Sequence, residues 1–367
     1  MKIIKAGYEI MPNFETPLKK IELVARTCYK SEDLITEDSC NTMVKNLISR
    51  QHYAMLEHAS LAFHIDAATY NLLLNADDLI QHLIFESEGK DAEKSYLRFS
   101  QCIIPVDEEH GESNFIVSGN IRAWLDTLNG LEMLHCLPSV LFDALMDSIP
   151  VIMNAAGFNE NTIIGVAENY KYEPFENGFF ADLITDFSKL TIEERIVHET
   201  LSVKFTVDRG VTHELVRHRP ASFAQESTRY CNYSKGKFGN EITVVEPCFF
   251  KRPEGDKTLS VEQWAERYGA WEYACKTAEE CYFRLLNNGA TPQEARSVLP
   301  TSVKADIIVT ANIEEWLHIL NLRAIGTTGK PHPQMLEVMV PLAKELAFNQ
   351  LKDFEKTTTI KMIQEME

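Results

Sequence analysis

The sequence predicts a mixed α+β fold, with a central sheet flanked by long helices. Three observations carry that expectation. Residues 59–65 and 200–207 alternate apolar and polar side chains at the two-residue period of a half-buried strand. Residues 16–30 and 38–51 repeat apolar positions at helical spacing, with Ile21, Val24, Ala25 and Cys28 on one face of the first. Ser260 and Gln263 form a capping box that opens a long helical run to about residue 287, stopped by Asn287-Asn288-Gly289.

The remaining elements follow in order. Residues 67–87, 119–128 and 138–148 read as helices. Residues 154–182 are rich in Asn, Gly and aromatics and read as irregular. After the strand at 200–207, Arg209-Gly210 opens a helix that runs into Arg217. Thr291-Pro292-Gln293-Glu294 repeats the capping logic with Pro at the first helical position. Residues 303–311 form an apolar, β-branched strand, and helices follow at 312–323 and 333–355. No Gly-x-Gly-x-x-Gly turn follows a strand, which argues against a Rossmann dinucleotide site.

A chain of 367 residues accommodates one large domain or two ordinary ones. The hydrophobic share of 45% and charged share of 25% are those of a water-soluble globular protein. The formal net charge of −18 argues against general nucleic-acid binding, which needs a basic surface. It leaves room for a locally positive nucleotide pocket, which takes only a few cations in a shaped cleft. No apolar run is long enough to span a membrane. Residues 1–12 lack the features of a signal peptide, and the eight cysteines are scattered. A reduced, cytoplasmic protein is expected. His213 and His218 are five apart, not the three or four that would put two ligands on one helical face, and no metal cluster is expected.

Residues 217–230 read Arg-His-Arg-Pro-Ala-Ser-Phe-Ala-Gln-Glu-Ser-Thr-Arg-Tyr. Guanidinium groups hold phosphate bidentately and stay charged at any working pH, so the cluster suits a ligand with several anionic and carbonyl oxygens. On chemistry alone a solvated basic turn or a nucleic-acid patch stays open. The spacing is more specific than the composition. Arg217-His218-Arg219, then Ser227, then Arg229-Tyr230 resembles the signature of flavin-dependent thymidylate synthases. Further matches occur in order: Val24–Tyr29, His52 with Leu56-Glu57-His58, Glu294-Ala295-Arg296 with Leu299-Pro300, Thr310-Ala311-Asn312, Trp316-Leu317-His318 and Asn321-Leu322-Arg323. The resemblance covers residues 1–65 and 199–350.

That resemblance implies synthesis of dTMP from dUMP, with methylenetetrahydrofolate as carbon donor and NADPH as reductant of a bound FAD. It implies a homo-oligomer, since the family builds its sites across subunits. Glu214, Gln225, Ser227, Arg229, Arg296 and Arg323 match positions that contact the nucleotide. His218, Arg219, Arg217, Glu57, Asn312 and His318 match positions on the cofactor side. Arg323, His52 and Ser227 are the positions nearest the chemistry. A cation at Arg323 suits negative charge that develops on the pyrimidine ring. Nothing in the sequence supplies Ser227 with a base, so it is not expected to be a nucleophile. The rival cysteine route has only Pro247-Cys248, with no neighbouring histidine or arginine to lower the thiol pKa. Ala224, Cys28, Ala54 and His318 depart from the family's common residues.

The middle segment, 66–198, lies outside the resemblance and leaves two readings. It is an insertion into a core made of 1–65 and 199–367, or a degenerate internal duplication. The second reading rests on Ser118–Trp124 echoing Thr310–Trp316, on 58–65 echoing 198–207, and on 96–100 faintly echoing the signature. A duplicated chain would assemble as a dimer where the family forms a tetramer. Alternative functions are a related flavoenzyme acting on another pyrimidine nucleotide, such as a hydroxymethylase, and a non-catalytic nucleotide-binding homologue.

Overall fold

The computed structural model describes residues 1–75, 97–102, 114–133, 139–158, 180–236, 239–252, 254–255 and 257–366. Its strands are β1 (Lys2–Ile4), β2 (Gly7–Ile10), β3 (Ser60–Asp66), β4 (Arg98–Gln101), β5 (Asn114–Asn120), β6 (Ala181–Leu183), β7 (Thr200–Asp208), β8 (Ser222–Gln225), β9 (Thr243–Val245) and β10 (Lys304–Asn312). Its α-helices include α1 (Pro17–Tyr29), α2 (Ser39–Ser49), α3 (Ile121–Met133), α4 (Ser139–Ser148), α5 (Pro150–Ala155), α6 (Ile192–His198), α7 (Arg209–Leu215), α8 (Val261–Asn287), α9 (Pro292–Ala295), α10 (Ile313–Leu320), α11 (Pro333–Phe348) and α12 (Thr358–Gln364), and residues 67–75 are helical as well. Two compact units result. One comprises residues 1–12, 25–32 and 201–367, the other 13–24 and 33–200.

The first unit is built on a four-stranded sheet in the order β2-β7-β10-β8. Nearly every residue of β10 is buried, as a strand with neighbours on both sides and both faces covered must be. Its Ile307, Ile308 and Val309 suit that place, because β-branched side chains pack well on a pleated surface. Helix α10 continues directly from β10 and buries Ile313, Trp316, Leu317, Ile319 and Leu320. The Trp316 indole N–H donates to the Leu201 carbonyl of β7 at 2.9 Å, so the one polar group of this buried ring is satisfied. Helix α8 has few buried residues; Cys275 and Tyr282 seat it on a small core with Tyr233, Ile242, Val244, Ala295 and Val303.

The second unit is built on another four-stranded sheet, β4-β5-β3-β6. Strand β3 pairs antiparallel with β5 and β6, and β4 pairs antiparallel with β5. The sequence led to one central sheet, but the two alternating strands each organise a sheet of their own. Residues 33–65 consequently share a unit with the middle of the chain rather than with 201–367.

Most long elements lie where the sequence put them, and both capping boxes form, at Ser260/Gln263 and Thr291/Glu294. The helix expected over 312–323 ends at Leu320 and gives way to a π-turn, Asn321–Ile325. The helix expected over 333–355 ends at Phe348. Of the helix expected over 67–87, residues 67–75 are helical and 76–87 lie outside the described residues. So do Tyr96 and residues 159–179 of the stretch read as irregular, at whose end β6 begins. Among the described residues no helix is long and apolar enough to cross a membrane.

Candidate functional site

Three segments of the first unit converge on Arg323. Asp208 caps α7 by accepting the Val211 N–H at 2.8 Å, and the last turn of that helix carries Glu214. His218 follows within the same turn region. The π-turn after α10 brings Arg323 to both. Such turns inside helical runs frequently mark functional sites. Gly326 ends the turn at φ +79°, and a Cβ there would meet Pro331 Cδ at 2.9 Å and the Gly329 carbonyl at 3.0 Å. Only glycine fits that position without strain.

Arg323 Nε donates to His218 Nε2 at 3.0 Å, Nη1 to Glu214 Oε2 at 2.7 Å and Nη2 to the Glu214 carbonyl at 3.2 Å. A guanidinium has five N–H donors, so two are left for a ligand. Because Nε2 accepts, the His218 proton belongs on Nδ1, which faces Glu315 Oε1 at 3.7 Å. Burial lowers the His218 pKa to about 4, and the nearby Arg323 and His318 add to the shift. The imidazole is therefore neutral near pH 7, as an acceptor for a guanidinium must be. Arg323 is half-buried, whereas His318 is exposed with its ring centroid 6.0 Å from that of His218.

The sequence spacing pointed to no metal cluster. The fold does assemble His218, Glu315 and His318, with ligand atoms within 4.8 Å of one another. The His218 Nε2 lone pair is already engaged by a cation, and that guanidinium repels a second one. The arrangement fits an anionic or carbonyl ligand better than a metal ion.

The signature itself turns partly into strand. Ser222–Gln225 pairs antiparallel with β10, Ser222 opposite Thr310 and Gln225 opposite Ile307. Gln225 Nε2 donates to Thr212 Oγ1 at 3.0 Å. The Ser227 N–H donates to the Cys28 carbonyl at 3.1 Å, and Cys28 itself is buried, which pushes its thiol up to about 12. Ser227 Oγ accepts the Arg229 N–H at 3.4 Å and meets no histidine or carboxylate among the described residues, so it has no base. Arg229 Nε donates to Gln293 Oε1 at 3.1 Å, and Arg296 Nη1 to Thr228 Oγ1 at 3.5 Å. Arg217, Arg219, Arg229 and Arg296 are exposed, and among the described residues none of them has a carboxylate partner.

Beneath this surface lies a buried set of paired charges that the sequence did not reveal. Glu226 is 1% exposed and accepts from Lys304 Nζ at 2.6 Å. Asp306 accepts from Lys304 at 3.0 Å, from Thr206 at 2.7 Å and from Lys30. Burial alone would raise the Asp306 pKa, but Lys304 and Lys30 outweigh it and hold the carboxyl well below its usual range. The set ties the signature to β7, β10 and the residue after α1. A signal was present: Lys304 and Asp306 alternate on one strand and so share a face.

Three other expected residues have local settings of their own. Asn312 caps α10, its Oδ1 accepting the Glu315 N–H at 3.1 Å. His52 and Glu57 belong to the second unit, where Glu57 pairs with Arg122 Nη1 at 2.7 Å and His52 precedes the short helix Tyr53–His58. The structure thus unites Glu214, His218, His318 and Arg323 in one cluster and Gln225, Ser227, Arg229 and Arg296 along the signature.

A family model described as thymidylate synthase complementing protein matches residues 9–76 and 156–347. The flavin-dependent thymidylate synthase of Pyrococcus furiosus is 28% identical over 179 residues, which cover 42% of this chain and 68% of that protein. The enzyme of the same name from Geobacter sulfurreducens is 32% identical over 117 residues, 32% of this chain and 44% of that protein. That of Haloarcula marismortui is 28% identical over 148 residues, 38% of this chain and 60% of that protein. Among solved structures, the UMP/dUMP methylase PolB from Streptomyces cacaoi bound with 5-Br dUMP aligns over 100% of this chain and 98% of its own, at 13% identity and a TM-score of 0.39.

Proposed function

The chain belongs to the thymidylate synthase complementing protein family, and on that premise we propose that it methylates dUMP to dTMP. The carbon donor is methylenetetrahydrofolate and the reductant NADPH, acting through a bound FAD. One observation carries this reading. In a chain of net charge −18, four arginines in and beside the signature have no carboxylate partner among the described residues. Unmatched guanidinium groups in an acidic protein make a local anion site, which a nucleotide phosphate satisfies.

The roles divide by geometry. Arg229 and Arg296 are steered by Gln293 and Thr228 rather than neutralised, so they keep full charge for the phosphate. Arg323 is held on three sides and offers its two remaining N–H groups to the pyrimidine carbonyls. Charge that builds on the ring as its C5 becomes nucleophilic meets a donor that is already oriented, so no reorganisation is needed at that moment. Neutral His218 keeps Arg323 in place without adding a competing cation.

The donor set also fits a flavin. Arg217 and Arg219 are exposed cations suited to a pyrophosphate, and exposed His318 presents an aromatic, hydrogen-bonding edge to a planar ring. When bound, the flavin supplies hydride chemistry, which no side chain can.

The test is an anaerobic assay with dUMP, methylenetetrahydrofolate, FAD and NADPH, read by product mass. Formation of dTMP is expected. A hydroxymethylated product would move the protein to another reaction on the same nucleotide, and no product from a protein that takes up no flavin would overturn the proposal.

A further inference from the structure

The two units share a plan that goes well beyond both being α+β. Their sheets have the same strand order, β4-β5-β3-β6 in one and β8-β10-β7-β2 in the other. Both β3 and β7 end in an aspartate that caps the helix behind it. Asp66 Oδ1 accepts the Ala68 and Thr69 N–H groups at 2.8 Å each, and Asp208 Oδ1 accepts that of Val211 at 2.8 Å. Strand β4, Arg98-Phe99-Ser100-Gln101, faces Ser118 to Phe115; strand β8, Ser222-Phe223-Ala224-Gln225, faces Thr310 to Ile307. The two central phenylalanines and the two terminal glutamines fall at the same register.

The agreement continues into the helices. Strands β5 and β10 end on Asn120 and Asn312, which cap α3 and α10 through the N–H groups of Ala123, at 2.9 Å, and Glu315, at 3.1 Å. Four residues after each asparagine stands a fully buried tryptophan. Trp124 donates to the Leu61 carbonyl at 3.3 Å and Trp316 to the Leu201 carbonyl at 2.9 Å. Those leucines hold the second place in β3 and β7. An asparagine cap alone is common, and so is a satisfied buried indole. The same cap, the same indole and the same acceptor at matched register in two sheets of one order point to descent from one ancestor.

Chain order shows how the copies join. β2 precedes the half that forms β3 to β5, yet it pairs with β7. β6 precedes the half that forms β7 to β10, yet it pairs with β3. Each half lends its leading strand to the other's sheet, which is the exchange that makes domain-swapped dimers, here within one chain.

The copies differ where ligand chemistry sits. Eleven residues after the capping asparagine, Arg323 corresponds to Leu131, which is fully buried. Glu315 corresponds to Ala123 and His318 to Asp126. Residues 226–303, which carry Ser227, Arg229 and Arg296, have only 102–113 in their place. The second unit kept the packing residues and lost the arginines.

We propose that this chain is a fused pair of half-subunits with exchanged leading strands, in which only the half carrying Arg217–Tyr230 binds a pyrimidine nucleotide, giving one nucleotide per chain. The stoichiometry rests on the nucleotide reading above; the strand exchange does not. Two measurements on the full chain separate them. Antiparallel partners approach closely enough for a disulfide. Glu9→Cys with Lys204→Cys, and separately His64→Cys with Asp182→Cys, should cross-link inside one chain under mild oxidation, seen as a faster monomer band on a non-reducing gel. Covalent dimers, or no new bond in either pair, would overturn the exchange. Equilibrium dialysis with dUMP and FAD should saturate at one dUMP per chain. Two per chain would overturn the single-site proposal. No binding at all would sink the nucleotide reading instead, while the cross-links still decide the architecture.

Discussion

Arg323 can address a ligand only with what Glu214 and His218 leave it. Its Nε and both Nη groups are each committed once, and the fork geometry makes that possible. Lysine has a point charge and no fork, so Arg323→Lys cannot hold both partners and still present two donors. We expect about a 10²-fold loss of kcat for dTMP formation, the scale of losing one oriented donor at a developing charge. A variant with unchanged kcat would remove Arg323 from the chemistry. Burial of His218, with Arg323 beside it, sets a pH dependence. Burial lowers the folded pKa of His218 to about 4 from its ordinary value of 6.5, so between those values the unfolded chain binds more protons. Stability is then fully present above about 6.5 and is lost as pH falls toward 4. His198 in the second unit is lowered to about 4 as well, chiefly by burial, and acts in the same direction. Denaturant titrations should show stability falling across this window. His218→Gln, which keeps an acceptor but cannot titrate, should reduce the slope by roughly one proton's worth; an unchanged slope would place the titration elsewhere.

At the scale of elements, the π-turn does what α10 alone cannot: it displaces Arg323 from ordinary helical phase and lets Gly326 end the turn. Gly326→Ala would put a Cβ against Pro331 and the Gly329 carbonyl in a left-handed conformation. About 1–2 kcal/mol of destabilisation is expected from the backbone alone, together with weaker dUMP binding, because the turn's end fixes Arg323. Thermal melts and dialysis read the two effects, and a stable variant with native affinity would show that the turn is not what positions the arginine. This turn was not legible in the sequence, where 312–323 keeps one unbroken apolar period across the change of phase. The strand at Ser222–Gln225 was hidden for a different reason: flanking charge and hydroxyl groups dominate four residues whose pairing is decided by β10. By contrast, the capping boxes at Ser260 and Thr291 were readable because the bonds are local. Arg323, His218 and Glu214 were readable through the family's spacing. Glu315 and the Glu226–Lys304–Asp306 set were not, since their partners are set by tertiary packing.

For the whole molecule, the central electrostatic feature is a conflict between a net charge of −18 and the proposed substrate, dUMP, which is itself a dianion. At low ionic strength the Debye length reaches roughly 30 Å, so the whole chain repels the nucleotide, whereas the signature arginines act at contact range. If Arg229 and Arg296 grip the phosphate, their attraction dominates near the site, and dUMP affinity should fall as salt rises. Removing both charges, as in Arg229→Gln with Arg296→Gln, leaves the overall repulsion with less to oppose it. Affinity should drop by at least tenfold at low salt, as the loss of two charge-assisted contacts requires. The residual binding should then become insensitive to salt, or improve with it, because screening now relieves repulsion more than it weakens attraction. Dissociation constants at about 0.01, 0.1 and 0.5 M KCl, the range over which the Debye length changes most, distinguish the cases. If the double variant keeps the native salt slope, the phosphate is held elsewhere, and the unmatched arginines of the signature serve a different anion.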